Sequence, residues 1–225
     1  MDSRSYAYLS VNLARNGKLP VHINEVEKDG ELVTSLESAV ADTEGSGETT
    51  CKKLLESKET LKHVFYQIMD PQQKPDYRQL LQTSLNEGLG AFTKKEYPKT
   101  EDEWQAIWGN EAGANLAYLL SANSTTVGCI VGKCTAEQTE PIGPTKRDTE
   151  AELKTAVLFC QLAPEATKNQ APFDEEYFTG LIARTAQLAD MTADDLKATN
   201  GSAAAAAVPT IVFAGLVAML AVVSA

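Results

Sequence analysis

Apolar residues along this chain fall into helical spacing more often than into alternation. Val11, Leu13 and Ala14 predict a short first helix, stopped by Asn16-Gly17 and then Pro20. Residues 31–41 carry Leu32, Val33, Leu36, Ala39 and Val40 on one side and predict a second, ending in a polar turn over 42–47. A longer amphipathic stretch, 51–69, turns Leu54, Leu55, Leu61, Val64, Phe65 and Ile68 inward before Asp70-Pro71 breaks it. Residues 77–85 repeat the pattern more briefly. The segment 100–107 opens on Thr100-Glu101-Asp102-Glu103, a capping box with acidic residues in the first turn. Residues 173–188 predict a final amphipathic helix, and Thr192 to Asp195 caps one more short turn.

Two segments follow a different rule. Residues 125–131 are β-branched, with Gly128 and Gly132 as bulge or close-approach positions, and 153–162 are more continuously apolar. A polar loop containing Pro and Gly, 140–148, lies between them, as in a hairpin-like connection. Many helices with few strands give an α+β fold or a layered sandwich.

Composition narrows the possible partners. The 225 residues are 43% hydrophobic and 23% charged, enough for one core of ordinary size plus a processing segment. Thirty-one acidic residues against 20 basic ones leave a net charge of −11, none of it beyond Asn200. The folded part is therefore acidic, which argues against nucleic acid and against any anionic partner held by bulk charge. The basic pairs Lys52-Lys53, Lys94-Lys95 and Lys146-Arg147 sit among carboxylates and read as solvated surface.

Cys51, Cys129, Cys134 and Cys160 form no C-x-x-C pair, and the two histidines, His22 and His63, are far from metal-finger spacing. Zinc fits poorly. Two disulfides fit well in an oxidising compartment, with three connectivities open.

The C-terminal region suggests the compartment. Asn200-Gly201-Ser202 are short or small, residues 203–210 make an eight-residue spacer, and the fifteen residues 211–225 are apolar except for Ser224. That order matches a glycosylphosphatidylinositol (GPI) signal, with Asn200, Gly201 and Ser202 as candidate anchored residues. The apolar run is shorter than the roughly 20 residues a membrane-spanning helix needs. An anchored protein enters the secretory pathway, yet residues 1–10 lack the regions of a signal peptide and read as a remnant whose leader is missing. The expected organisation is thus a remnant over 1–10, an ectodomain over 11–190, a linker and anchor site over 191–202, and a removed tail over 203–225. Asn123-Ser124-Thr125 is a glycosylation sequon at Asn123, and Asn200-Gly201-Ser202 is another.

Catalytic chemistry is thin. His63, with Glu59 one turn before it, lacks a Gly-x-Ser-x-Gly nucleophile turn and reads as a surface or packed histidine, and His22 as a strand or loop residue. The pairs Asp102/Glu103 and Glu175/Glu176 lie in helix first turns, where the dipole accounts for them. Trp104 and Trp108, one turn apart, read as a core stripe. Neither an enzyme nor a cofactor is expected.

Three stretches resemble the CAP superfamily of cysteine-rich secretory, venom-antigen and plant pathogenesis-related proteins. Residues 12–20, from Asn12 through Arg15 to Leu19-Pro20, look like that family's His-Asn-x-x-Arg...Leu-Pro opening. Residues 115–129 are similar in length and Gly-Cys ending to its His-Tyr-Thr-Gln...Trp signature. Residues 158–164, Leu-Phe-Cys-Gln-Leu-Ala-Pro, resemble its Cys-Asn-Tyr-x-Pro signature. With an acidic composition and a GPI tail, the whole resembles the surface antigens of coccidian parasites such as Eimeria.

The resemblance implies a three-layer α-β-α sandwich with disulfides Cys51–Cys134 and Cys129–Cys160. It also implies a cleft that in many members holds two histidines and two glutamates around a divalent metal. Here Asn115 stands where a histidine is usual and Ser121 where a tryptophan is, while Glu87 and Glu111 fall near the glutamate positions. Carboxylates without imidazoles make a poor transition-metal site, so the expectation is no metal. The implied function is a non-enzymatic GPI-anchored surface antigen in host-cell attachment or immune display. Its partners would be an unidentified host-cell surface ligand and the membrane through its lipid anchor, with no nucleic acid. The alternative is a lipid- or sterol-binding carrier.

Overall fold

The computed structural model describes residues 3–44, 51–57, 61–70, 74–135 and 154–197. Its helices are α1 (Ser3–Asn16), α2 (Gly30–Glu44), α3 (Cys51–Ser57), α4 (Tyr77–Gly90), α5 (Glu101–Gly109), α6 (Glu111–Leu119) and α7 (Glu175–Ala183). Its strands are β1 (Glu27–Lys28), β2 (Phe65–Met69), β3 (Thr126–Thr135) and β4 (Lys154–Ala163), with 3₁₀ turns at Thr93–Lys95, Leu188–Asp190 and Ala193–Leu196.

The sheet runs β1-β3-β4-β2, antiparallel except for β1, which lies parallel to β3. Alternation along β3 and β4 sends successive side chains to opposite faces. Val127, Cys129, Leu158, Cys160 and Leu162 face one core; Ile130, Cys134, Val157 and Phe159 face the other. Helices α2 and α3 cover the second core, while α1, α4 and α6 cover the first, which α5 and α7 complete. The fold is therefore α+β, three layers deep in the order α-β-α.

Gly128 shows how closely the layers meet. A Cβ there would come within 2.6 Å of the Leu32 Cβ and 2.7 Å of the Val33 nitrogen, so α2 can cross β3 only over a glycine. Each face carries one disulfide. Cys129 and Cys160 are direct cross-strand neighbours with Cα atoms 4.2 Å apart, and Cys51 of α3 joins Cys134 near the end of β3.

Helix starts are set by side chains. Asp76, Asn110 and Asp174 accept main-chain N–H groups at the heads of α4, α6 and α7. Thr100 and Glu103 form the full capping box of α5, and Thr192 and Asp195 repeat that device on the last 3₁₀ turn. Trp104 and Trp108 are buried, and Trp104 packs edge-on against Phe92, Tyr97 and Phe173.

Several expectations need correction. The stretch 51–69 is not one helix: α3 ends at Ser57 and residues 65–69 form the edge strand β2, where Ile68 is 47% exposed. Leu61, Val64 and Phe65 are buried, but against two different cores, so their helical spacing is coincidental. Residues 3–10 form the first half of α1 and bury Ala7 and Ser10, so the packed domain begins ahead of residue 11. Within the expected linker, residues 191–197 pack on the domain: Met191 is fully buried, and Lys18 N donates to Asp195 O at 3.0 Å. The last long helix spans only Glu175–Ala183, since Asp174 caps its start and the main chain turns extended at Arg184. Helix α4 runs on to Gly90, and α6 and β1 have no counterpart in the periodicity. The loop 140–148 lies outside the described residues.

Arg15 explains why residues 12–20 read as a motif. Its guanidinium is fully buried and donates only to main-chain carbonyls: Asn24 O at 2.8 Å, Leu119 O at 2.7 Å, Ser121 O at 2.9 Å and Ser124 O at 3.3 Å. Burial lowers its pKa to about 10, and it stays charged at neutral pH. Asn12 and Asn16 each exchange two hydrogen bonds with one main-chain residue, Val26 and Ile23 respectively. Three polar side chains thus pin the irregular 17–26 segment to α1.

Candidate functional site

The segment 110–118 sets the site. Asn110 Oδ1 accepts from Gly113 N at 3.0 Å and starts α6, and helical spacing then places Glu111, Asn115 and Tyr118 along one side. That side faces the edge strand β2. Asn115 Nδ2 donates to Tyr66 O at 2.7 Å, and Tyr66 N donates to Asn115 Oδ1 at 2.8 Å. The side-chain amide thereby completes the two main-chain groups that Tyr66 turns away from β4.

The Tyr66 hydroxyl donates to the Glu111 carboxylate. Partial burial, this hydrogen bond and the negative charges of Glu111 and Glu87 together hold the phenol well above its ordinary pKa of 10.0. Glu87 comes from α4, which packs on α6 closely enough that a Cβ on Gly88 would lie 2.5 Å from the Leu116 Cβ. Tyr118 is also shifted upward, first by desolvation and then by Glu165.

A cavity of about 480 Å³ opens between α3, β2 and α6. Leu55, Leu61, Val64 and Ala114 give it apolar walls, Tyr66 and Tyr118 aromatic ones, and Glu56, Glu111 and Lys62 its charges. His63 is close by: its ring stacks on Tyr118 at 5.9 Å, and its Nδ1 lies 3.6 Å from Glu165 Oε2. Glu59 lies outside the described residues. His22 is in the loop after α1, its Nε2 3.0 Å from Leu19 O.

The resemblance set Glu87, Glu111 and Asn115 at positions of one cleft, and the structure gathers them around Tyr66. Their donors do not suit a metal ion. Both ends of the Asn115 amide are spent on the Tyr66 main chain, and Glu111 accepts from the phenol. No group of three or more His, Cys, Asp or Glu residues that could hold a metal occurs among the described residues. Tyr66 itself was missed, because it lies in the stretch read as helix; the signal that could have found it is the β-prone run Phe65-Tyr66-Gln67-Ile68. Ser121 is buried, and its carbonyl serves Arg15.

Among the other marked residues, Asn123 and Thr125 of the sequon are exposed on the turn between α6 and β3. Asn200, Gly201 and Ser202, with the tail 203–225, lie outside the described residues. No helix among the described residues is long and apolar enough to cross a membrane. The two closed disulfides fit a secreted or extracellular setting.

No family model matches the chain, and no curated protein matches it. Among solved structures, hookworm platelet inhibitor is similar with a TM-score of 0.41 and 14% identity, over 78% of each chain. At that level of overlap the likeness carries no argument about ligand, activity or partner.

Proposed function

We propose that this chain is a GPI-anchored cell-surface antigen that acts by binding, in host-cell attachment or immune display, and not by catalysis. The observation that carries the reading is a disulfide on each face of the sheet in a domain followed by Asn200-Gly201-Ser202, a short spacer and an apolar run. Disulfides favour an oxidising compartment, and the order of the following residues matches the signal exchanged for a glycolipid. The acidic surface directs the choice of ligand away from nucleic acid and polyanions. The polar groups at the cleft are engaged in holding α6 to β2, which supports a binding role over a hydrolytic one.

Phosphatidylinositol-specific phospholipase applied to intact cells is the test. Release of the antigen into the medium, read by antibody, is the expected result; full retention overturns the anchor. Attachment is tested separately by binding of the oxidised protein to host cells at micromolar concentration.

The cavity supports a second reading, a lipid- or sterol-binding carrier, because its apolar walls and volume fall in the range of small-molecule sites. Lipid co-purifying with the protein and identified by mass spectrometry would favour it.

A further inference from the structure

We propose that the cleft between α3, β2 and α6 binds an organic cation, an ammonium group carried on a short alkyl stem. The assignment does not depend on how the protein is anchored.

Size and lining come first. A space of about 480 Å³ is too large for a bare ion and suits a small organic molecule. Leu55, Leu61 and Val64 offer an alkyl stem a surface away from water, beside the side chains of Tyr66 and Tyr118. Charge then selects among apolar ligands. Glu56 and Glu111 against the ammonium of Lys62 leave the lining with more negative than positive groups.

Competing occupants fare worse. A fatty acid would bring its carboxylate to two glutamates, with Lys62 the one cation among the lining residues to receive it. A neutral lipid would use the apolar walls but would gain nothing from the charge of these glutamates. A metal ion would need several donors together, whereas the Asn115 amide oxygen is engaged by Tyr66 N and no group of three His, Cys, Asp or Glu residues gathers here among the described residues. An ammonium needs only acceptors, and Glu111 has a second carboxylate oxygen to offer, held in place by the Tyr66 hydroxyl.

The test is titration of the oxidised full-length chain with n-butylammonium chloride, with sodium butyrate, n-butanol and zinc chloride as matched probes. Trp108 provides the readout through its fluorescence, because its ring meets Tyr118 edge-on at 5.2 Å. Saturable binding of butylammonium is expected, with butyrate and butanol weaker by at least about tenfold, the worth of one charge-assisted hydrogen bond. Glu111→Gln keeps an acceptor for Tyr66, removes the charge, and should weaken binding by about tenfold. Glu56→Gln, on the opposite wall, is the second variant should the first lose its fold. Equal binding of butanol, tighter binding of butyrate or zinc, no saturable butylammonium signal, or unchanged affinity in folded variants would each overturn the assignment.

Discussion

Asn115 holds Tyr66 by both main-chain groups, standing in for the neighbouring strand that the edge of the sheet lacks. Replacement by alanine leaves a half-buried N–H and C=O without partners and should cost about 1–3 kcal/mol. In a domain of this size that lowers the melting temperature by about 2–4 °C per kcal/mol. Asn115→Asp should cost more at neutral pH, since a carboxylate cannot donate to Tyr66 O and gains Glu111 as a like-charged neighbour. Calorimetric melting of both variants checks the ranking; an alanine variant as stable as the parent would remove the clamp from the account.

Arg15 is the buried residue least open to exchange. Arg15→Lys keeps the charge but replaces a planar fork of five donors with three on a point charge, so carbonyls of Asn24, Leu119, Ser121 and Ser124 lose partners. A loss of about 3 kcal/mol or more is expected in denaturant unfolding. A loss under about 1 kcal/mol would mean that water or a shifted loop takes the place of the guanidinium.

The two bridges should differ in worth because they close loops of different length. Cys51–Cys134 spans 83 residues and Cys129–Cys160 spans 31. Chain-entropy arguments give about 4–5 kcal/mol for the first and about 3–4 kcal/mol for the second. Paired Cys→Ala variants, unfolded in urea, should therefore rank the 51/134 pair as the more destabilising. The reverse order would show that local packing across β3 and β4 outweighs loop closure.

Acid titration should reach the cap of α5. Glu103 accepts from Lys99 N and Thr100 N, and these hydrogen bonds hold its pKa below the usual 4.5. A lowered folded pKa means a contribution present above the unfolded value and lost as pH falls through the folded one. Glu103→Gln keeps the acceptor and removes the titration, so the gap in stability between parent and variant should narrow as the pH falls below the usual carboxylate value. Melting curves between neutral and acidic pH follow the effect.

Alkaline titration reports on the other side. Tyr66, Tyr97, Tyr118 and Tyr177 are all pushed above the ordinary phenol value, chiefly by desolvation. Their contribution is present below the unfolded pKa and lost as pH rises through the folded one. These four hydroxyls should ionise late, with tyrosinate absorbance climbing together with loss of structure. Smooth early ionisation of all seven tyrosines in a folded protein would contradict the packing of Tyr177, whose hydroxyl donates to Arg15 O at 2.6 Å.

How much of this was readable depended on whether local chemistry and tertiary environment agree. The Thr100/Glu103 box and the paired strands β3 and β4 were legible because capping residues and β-branched runs act locally. Residues 65–69 were not. Phe65 and Met69 are buried while Ile68 is exposed, so an edge strand set between two cores mimics the period of a helix. Helix α6 was hidden by its Gly and Ala content and by its role as a motif. At the candidate site, Glu87, Glu111 and Asn115 could be marked from motif positions, whereas Tyr66 and Tyr118 belong to it only through the packing of α6 on β2.

The end of the described chain is fastened to its beginning. Arg184 Nη1 donates to the carbonyls of Leu13, Ala14 and Gly17, Met191 packs at Gly17, and Asp195 takes both the Lys18 amide and an ion pair with the Lys18 ammonium. A pull applied beyond Lys197 therefore meets this knot before it reaches the sheet. Under the proposed anchor, drag would be taken up first at the bend after α1, ahead of β3 and β4.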